Sequence, residues 1–243
     1  MTEQNNISRT ARTLLPLVLS LSLLLPEATS CMKEMSDQFG DNVIMGYNVL
    51  VTVRPAIGDA PFRLVLNDST TLYPTNLSSS PFKDKIVRAY GAVTPTRGNL
   101  QDFTEGGEFD VFVHQLDSIV TKVMRMNVES LLDENGDPIH SDPIDVLDRW
   151  DTVVEDGFLT INFCTTFGWE RIHSIDLIPT SQPGEVRLVH NANGDTSGTV
   201  STGTIAFSLA GLNESSKDEK GYKTLTLRYD SFNGPAKRTF KYK

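Results

Sequence analysis

Four histidines, His114, His140, His173 and His190, are the side chains best suited to acid–base work near neutral pH or to metal binding. No two stand at the i, i+4 spacing that puts a metal-binding pair on one helix face, and two cysteines as far apart as Cys31 and Cys164 exclude a CxxC motif. Neither GxSxG nor GxxxxGK[ST] occurs, so a nucleophile elbow and a phosphate-cradling loop are absent as motifs. The one set worth singling out is His190, Asn191 and Asp195, where a histidine leads into an Asn/Asp/Gly turn. It reads either as a ligand site or as a loop anchor. The anchor is favoured, because Asn and Asp side chains readily accept hydrogen bonds from nearby backbone amides. The spacing Asp133-x-Asn135-x-Asp137 begins like a calcium loop, but Pro138 and Ile144 stand where an EF-hand needs Gly and Glu, which leaves room only for an irregular site. With 31 carboxylates, a pair suited to glycoside chemistry cannot be picked out by pattern. The expectation is a protein with no catalytic, cofactor-binding or metal-binding residues, and not an enzyme.

Cys164 lies in the apolar run Phe158–Phe167 and reads as a buried, inert thiol. Trp150 and Trp169 could form a sugar platform but fit core or hinge filling better. Arg88 and Tyr90 share one face of a strand, and a stacking surface for nucleic acid would need several such aromatics in a basic groove. The net charge of −9 argues against nucleic acid as a partner. That charge is local: Glu129–Asp156 holds ten acidic residues and only Arg149 as a base, and reads as a solvated acidic linker.

The N-terminus reads as an address. Arg9 and Arg12 precede the apolar Leu14–Leu25, and Ala28-Thr29-Ser30 leads to Cys31, the three-part signal-peptide pattern. Twelve residues at about 1.5 Å each span roughly 18 Å, short of a hydrocarbon core of about 30 Å. Small residues before cysteine resemble the lipobox of bacterial lipoproteins, which implies removal of 1–30 and acylation of Cys31. Several acyl chains at about 0.8 kcal/mol per buried CH₂ give stable anchoring.

The rest of the chain alternates in the β manner. After a polar tether at 31–42, strands are predicted at Val43–Arg54, Phe62–Leu66, Thr71–Tyr73, Lys85–Val93 and Glu108–Met126, with a bulge at Gly91 and a break near Asp117-Ser118. Five such segments suit an OB-like barrel over 43–128. A short helix is predicted at Val128–Leu132, within a linker whose acidic part runs over 129–147. Strands are then predicted at Val153-Val154, Phe158–Phe167, Glu170–Ile178, Glu185–His190, Gly203–Leu212, Tyr222–Tyr229 and Arg238–Tyr242, which suit an antiparallel β-sandwich over 148–243. The fold class is therefore all-β, a barrel followed by a sandwich.

The segments Phe62-x-Leu64-x-Leu66-Asn67-Asp68-Ser69-x-Thr71-Leu72-Tyr73-Pro74, Glu155-Asp156-Gly157-Phe158-Leu159-Thr160-Ile161-x-Phe163 and Leu188-Val189-His190-Asn191-x-x-Gly194-Asp195 resemble the NigD-like proteins, with Ser69 where that family has Gly. The resemblance implies a two-domain lipoprotein and a role in bacteriocin immunity. Together these readings describe a protein exported to the outer membrane, on its periplasmic face or at the cell surface. It is held by lipid, lacks enzymatic activity, and binds an envelope or toxin protein. A glycan-binding accessory lipoprotein is the alternative.

Overall fold

The computed structural model describes residues 47–98, 102–168 and 170–243. The leader, Cys31, the tether, the start of the first predicted strand and Trp169 lie outside the described residues. No helix among the described residues is long and apolar enough to cross a membrane.

The first half closes into a five-stranded barrel. Its strands are β1 (Tyr47–Arg54), β2 (Arg63–Asn67), β3 (Thr70–Pro74), β4 (Val87–Pro95) and β5 (Gly107–Ser118), in the order β1-β2-β3-β5-β4. Alternate residues point inward, so Val49, Val51, Val53, Leu64, Leu72 and Val111 fill the interior. The turn between β2 and β3 closes without glycine, because the backbone amide and hydroxyl of Ser69 both donate to Asn67 Oδ1 at 2.9 Å. The register of β4 on β5 shifts between Ala92 and Val93, one residue beyond the expected bulge at Gly91, and that of β2 on β3 shifts between Val65 and Asn67. Gly91 itself sits against Val49 and Leu116, where a Cβ would come within 3.3 Å of Val49.

The second half packs two sheets. One holds β10 (Ser174–Pro179), β11 (Glu185–Asn191), β13 (Lys223–Ser231) and β14 (Gly234–Tyr242) in that order. The other runs β6 (Val120–Val123), β12 (Thr199–Ser208), β9 (Phe158–Phe167) and β7 (Asp145–Val146), with β8 (Val153–Glu155) also on β9. Leu159, Ile161, Leu188, Phe207, Leu225 and Leu227 meet between them, each worth about 1.5–3 kcal/mol of burial. Most pairs are antiparallel, but β11–β13 and β6–β12 run parallel.

Three expectations are corrected. The break expected near Asp117-Ser118 falls at Ile119, but the piece beyond it, β6, ends at Val123 and joins a sandwich sheet rather than the barrel. No helix forms at Val128–Leu132: the amides of Leu131 and Leu132 both bond the carbonyl of Val128, one turn only, and the single short helix among the described residues, α1, lies at Asp102–Glu105. The acidic stretch is not solvated throughout, since Ile144 is fully buried and β7 pairs with β9.

Candidate functional site

The loop after β11 folds as Ala192-Asn193-Gly194-Asp195, with positive φ at both Asn193 and Gly194. This is the left-handed two-residue turn that Asn-Gly forms with least strain. The amide of Asp195 donates to the carbonyl of Ala192 at 3.0 Å. The side chain of Asn191 accepts from the Asn193 amide at 2.8 Å, so Asn191 serves this turn.

His190 and Asp195 do not touch. His173 stands between them: its Nδ1 lies 3.0 Å from His190 Nε2 and its Nε2 lies 3.4 Å from Asp195 Oδ2. The far nitrogen of His190, Nδ1, lies 3.2 Å from the carbonyl oxygen of Asp142. A carbonyl only accepts, so His190 Nδ1 donates to it and His190 Nε2 accepts from His173. His173 Nδ1 then donates to His190, and its Nε2 faces the Asp195 carboxylate. The ring of Phe167 stacks on that of His173 at 4.5 Å, and the His173 and Asp195 side chains are each only 4% exposed. Asp142 completes the clamp, its carboxylate taking the Ala192 amide at 2.7 Å.

Burial works against the charge on Asp195, but the amides of Gly168, Glu170 and Arg171 and the His173 ring hold its carboxyl below the ordinary range. Burial pushes the His190 imidazole down, partly offset by the Asp142 carbonyl. A cavity of about 120 Å³ opens beside His190, lined by Thr165, Ala192 and Phe232 among others. Ligand pockets generally span about 300–1,000 Å³, so this space suits water rather than a substrate. No group of three or more ligating side chains among the described residues could hold a metal ion. The arrangement ties the 168–171 and 192–195 loops together by hydrogen bonds.

The other predicted residues are scattered. His140 is exposed, and His114 meets Thr94 Oγ1 at 2.9 Å on the barrel surface. Cys164 is half-buried, its thiol pushed up by burial and then by Asp145. The carboxylate of Asp133, first of the calcium-like spacing, takes the amides of Asn135 and Asp137 at 2.9 Å each.

Arg88 and Tyr90 lie on a face that is covered, not open. Arg88 is completely buried against the sandwich, giving hydrogen bonds to Thr52 Oγ1 (3.0 Å), Thr160 Oγ1 (3.2 Å) and Glu155 Oε2 (3.1 Å). Burial lowers the Arg88 guanidinium and raises the Glu155 carboxyl, and each partner's charge opposes the other's shift. Tyr90 donates to the Asp151 carboxylate, and burial followed by that bond pushes its phenol up to about 12. Nearby, Asp156 at the tip of the β8–β9 hairpin takes a bidentate pair from Arg54 at 3.0 and 2.7 Å. Trp150 remains 44% exposed, edge-on to Tyr90 at 6.4 Å between centroids.

Comparison with known proteins agrees with this architecture. A protein from Parabacteroides distasonis described as toxin related has the same fold at a TM-score of 0.59, with 24% identity over 80% of this chain and 92% of its own. A protein of unknown function from Bacteroides vulgatus gives 0.54, with 17% identity over 80% and 89%. A NigD-like immunity protein from Bacteroides caccae gives 0.50, with 17% identity over 80% and 95%. No protein of curated function matches the chain in sequence. Residues 127–242 match the family described as the NigD-like C-terminal beta sandwich domain. Residues 127–242 are thus a NigD-like C-terminal beta sandwich domain.

Proposed function

We propose that this is an exported protein of the cell envelope, anchored by lipid on Cys31, that binds a protein partner without catalysing a reaction, and that its role is immunity to a bacteriocin. One observation carries the non-catalytic reading: the His190–His173–Asp195 chain, the best-equipped cluster for acid–base chemistry, is buried and spent on holding two loops. The NigD-like sandwich supports the immunity role, and the B. caccae protein described as a NigD-like immunity protein shares the fold. The test is deletion of the gene followed by challenge with bacteriocins of competing strains. Loss of the protein sensitises the cells to at least one, and re-expression protects them again. Sensitivity unchanged across the panel contradicts the immunity role.

The exposed Trp150 favours a second reading, a glycan-binding surface protein, since an indole face open to solvent can stack on a sugar ring. A glycan array decides it: binding abolished by Trp150→Ala supports this reading, and an array without binding removes it.

A further inference from the structure

The sandwich meets the barrel at one end only. There Asp156, at the tip of the β8–β9 hairpin, is held by Arg54. β9 runs from that end to Phe167, roughly 30 Å away at about 3.3 Å per residue. At the far end the segments 140–144, 168–173 and 192–198 and the β13–β14 turn come together.

Their backbones are tied, yet their tips are apolar. Asn193 Nδ2 donates to the Ile172 carbonyl at 2.5 Å, and the Phe232 amide donates to Asp145 Oδ1 at 3.3 Å. The Asp142 carboxylate takes the Ala192 amide. Ile172 is nevertheless 87% exposed, Val200 58% and Phe232 45%. These tips adjoin one another. Val200 pairs with Thr166, and Thr166, Ala192 and Phe232 line the cavity of about 120 Å³ beside His190. Large apolar tips held out on ordered loops add nothing to the core, and clustered exposed apolar groups mark an interaction surface.

The charge here is negative. Asp142, Asp145 and Glu170 have no ion pair among the described residues, and Arg171 is the cation of the same loops. Asp195 adds a buried carboxylate, while Asp230 and Asp137 more than balance Arg187. Counting Lys237, further along β14, leaves the sign unchanged.

We propose that this loop end is where the partner protein docks, and that it receives a basic segment of that partner, an apolar side chain flanked by lysine or arginine. Charge selects the occupant. The chain's own segment 32–46 has Lys33 against Glu34, Asp37 and Asp41, and a second copy brings the same acidic end and a net charge of −9. A surface of anionic lipid is repelled as well. A basic segment is attracted, its cations meeting Asp142, Asp145 and Glu170 while its apolar side chain covers Ile172, Val200 and Phe232. The cavity is too small for a free ligand, but one side chain fits, since an apolar cavity of roughly 150 Å³ admits benzene. Loops already fixed by hydrogen bonds lose little freedom on binding.

The inference rests on the reading of the protein as a binder of proteins and locates its surface. Its test is an NMR titration of the purified protein at low salt with a capped peptide of alternating lysine and leucine. An all-lysine peptide and one of alternating glutamate and leucine are separate arms. The lysine–leucine peptide shifts the Ile172 and Val200 methyl signals and the Phe232 ring signals saturably. Ile172→Ser or Phe232→Ser weakens it by about tenfold, the scale of one anchoring contact. Both side chains are exposed, so these variants keep the wild-type fold. Absence of saturable shifts at these residues, or binding unchanged in both variants, overturns the proposal. So does an all-lysine or glutamate–leucine peptide that binds as tightly, or self-association that is lost in Ile172→Ser. In cross-linked cells, a partner adduct kept by the Ile172→Ser, Phe232→Ser double variant overturns this surface and leaves the protein a binder. Wild type without any adduct removes the binder reading itself.

Discussion

His173 changes the meaning of His190 and Asp195. Taken alone, the latter two look like a histidine and a carboxylate near one turn. With His173 between them they become a directed chain from the Asp142 carbonyl to a buried carboxylate. Both protonation effects have the same sign. The His190 imidazole is held below its ordinary 6.5, so the stability it contributes is present above that value and is lost as pH falls through it. The Asp195 carboxyl is likewise depressed, so its share is lost only at more acid pH, as its lowered value is passed. The melting temperature should therefore fall on acidification from about pH 7 to about pH 5, near the ordinary histidine range. His190→Gln should flatten that slope while lowering stability at neutral pH, and a slope unchanged in the variant contradicts the assignment. His190, Asn191 and Asp195 were legible because Asn and Asp before glycine advertise a turn. His173 and Asp142 were not, because neither has a local signal. The β10–β11 register, which sets Ile175 opposite His190, is what brings His173 alongside.

At the scale of elements, strands with strong internal pattern were readable and short ones were not. The run Phe158–Phe167 is β9 to the residue, and its unbroken burial from Phe158 to Phe163 has a reason. Leu159, Ile161 and Phe163 face the sandwich core, while Thr160 bonds Arg88 of the barrel and Asn162 bonds Asp151. By contrast β6 has four residues and β7 two, too few for a periodicity, and both depend on pairing with distant strands. The one-turn structure at Val128–Leu132 was misread because a brief apolar spacing cannot tell a turn from a helix. Two turns show what glycine does here. Gly184 has φ +70°, and a Cβ there would come within 2.5 Å of the Thr224 carbonyl oxygen. Gly157 has φ +77° with open space around it. Gly184→Ala should cost about 2–4 kcal/mol, combining the left-handed penalty with a backbone clash, and Gly157→Ala only about 1–2 kcal/mol. Urea unfolding of the two variants checks this, and equal losses contradict it.

On the scale of the whole molecule, the barrel and sandwich are locked by a polar joint. Leu50, Ile119 and Ala206 make a small apolar cluster there, and Arg88 is bonded to both halves. Removing one partner of a buried ion pair costs about 3–5 kcal/mol because the other charge is stranded. Arg88→Met should therefore destabilise strongly, and adding Glu155→Gln should restore part of the loss. Additive losses in that double-mutant cycle contradict the coupling. This joint also explains why the face holding Arg88 and Tyr90 is unavailable to a ligand, and why recognition is sought on the sandwich. The claim that the protein works by binding another protein at the envelope is tested most directly by cross-linking in intact cells. The tagged protein is cross-linked, its adducts are identified by mass spectrometry, and the wild type is compared with Cys31→Ser. The account expects one dominant protein adduct with the acylated wild type and its loss when the anchor is removed. A wild-type protein that yields no adduct, or one whose N-terminal Cys31 proves unmodified, contradicts it.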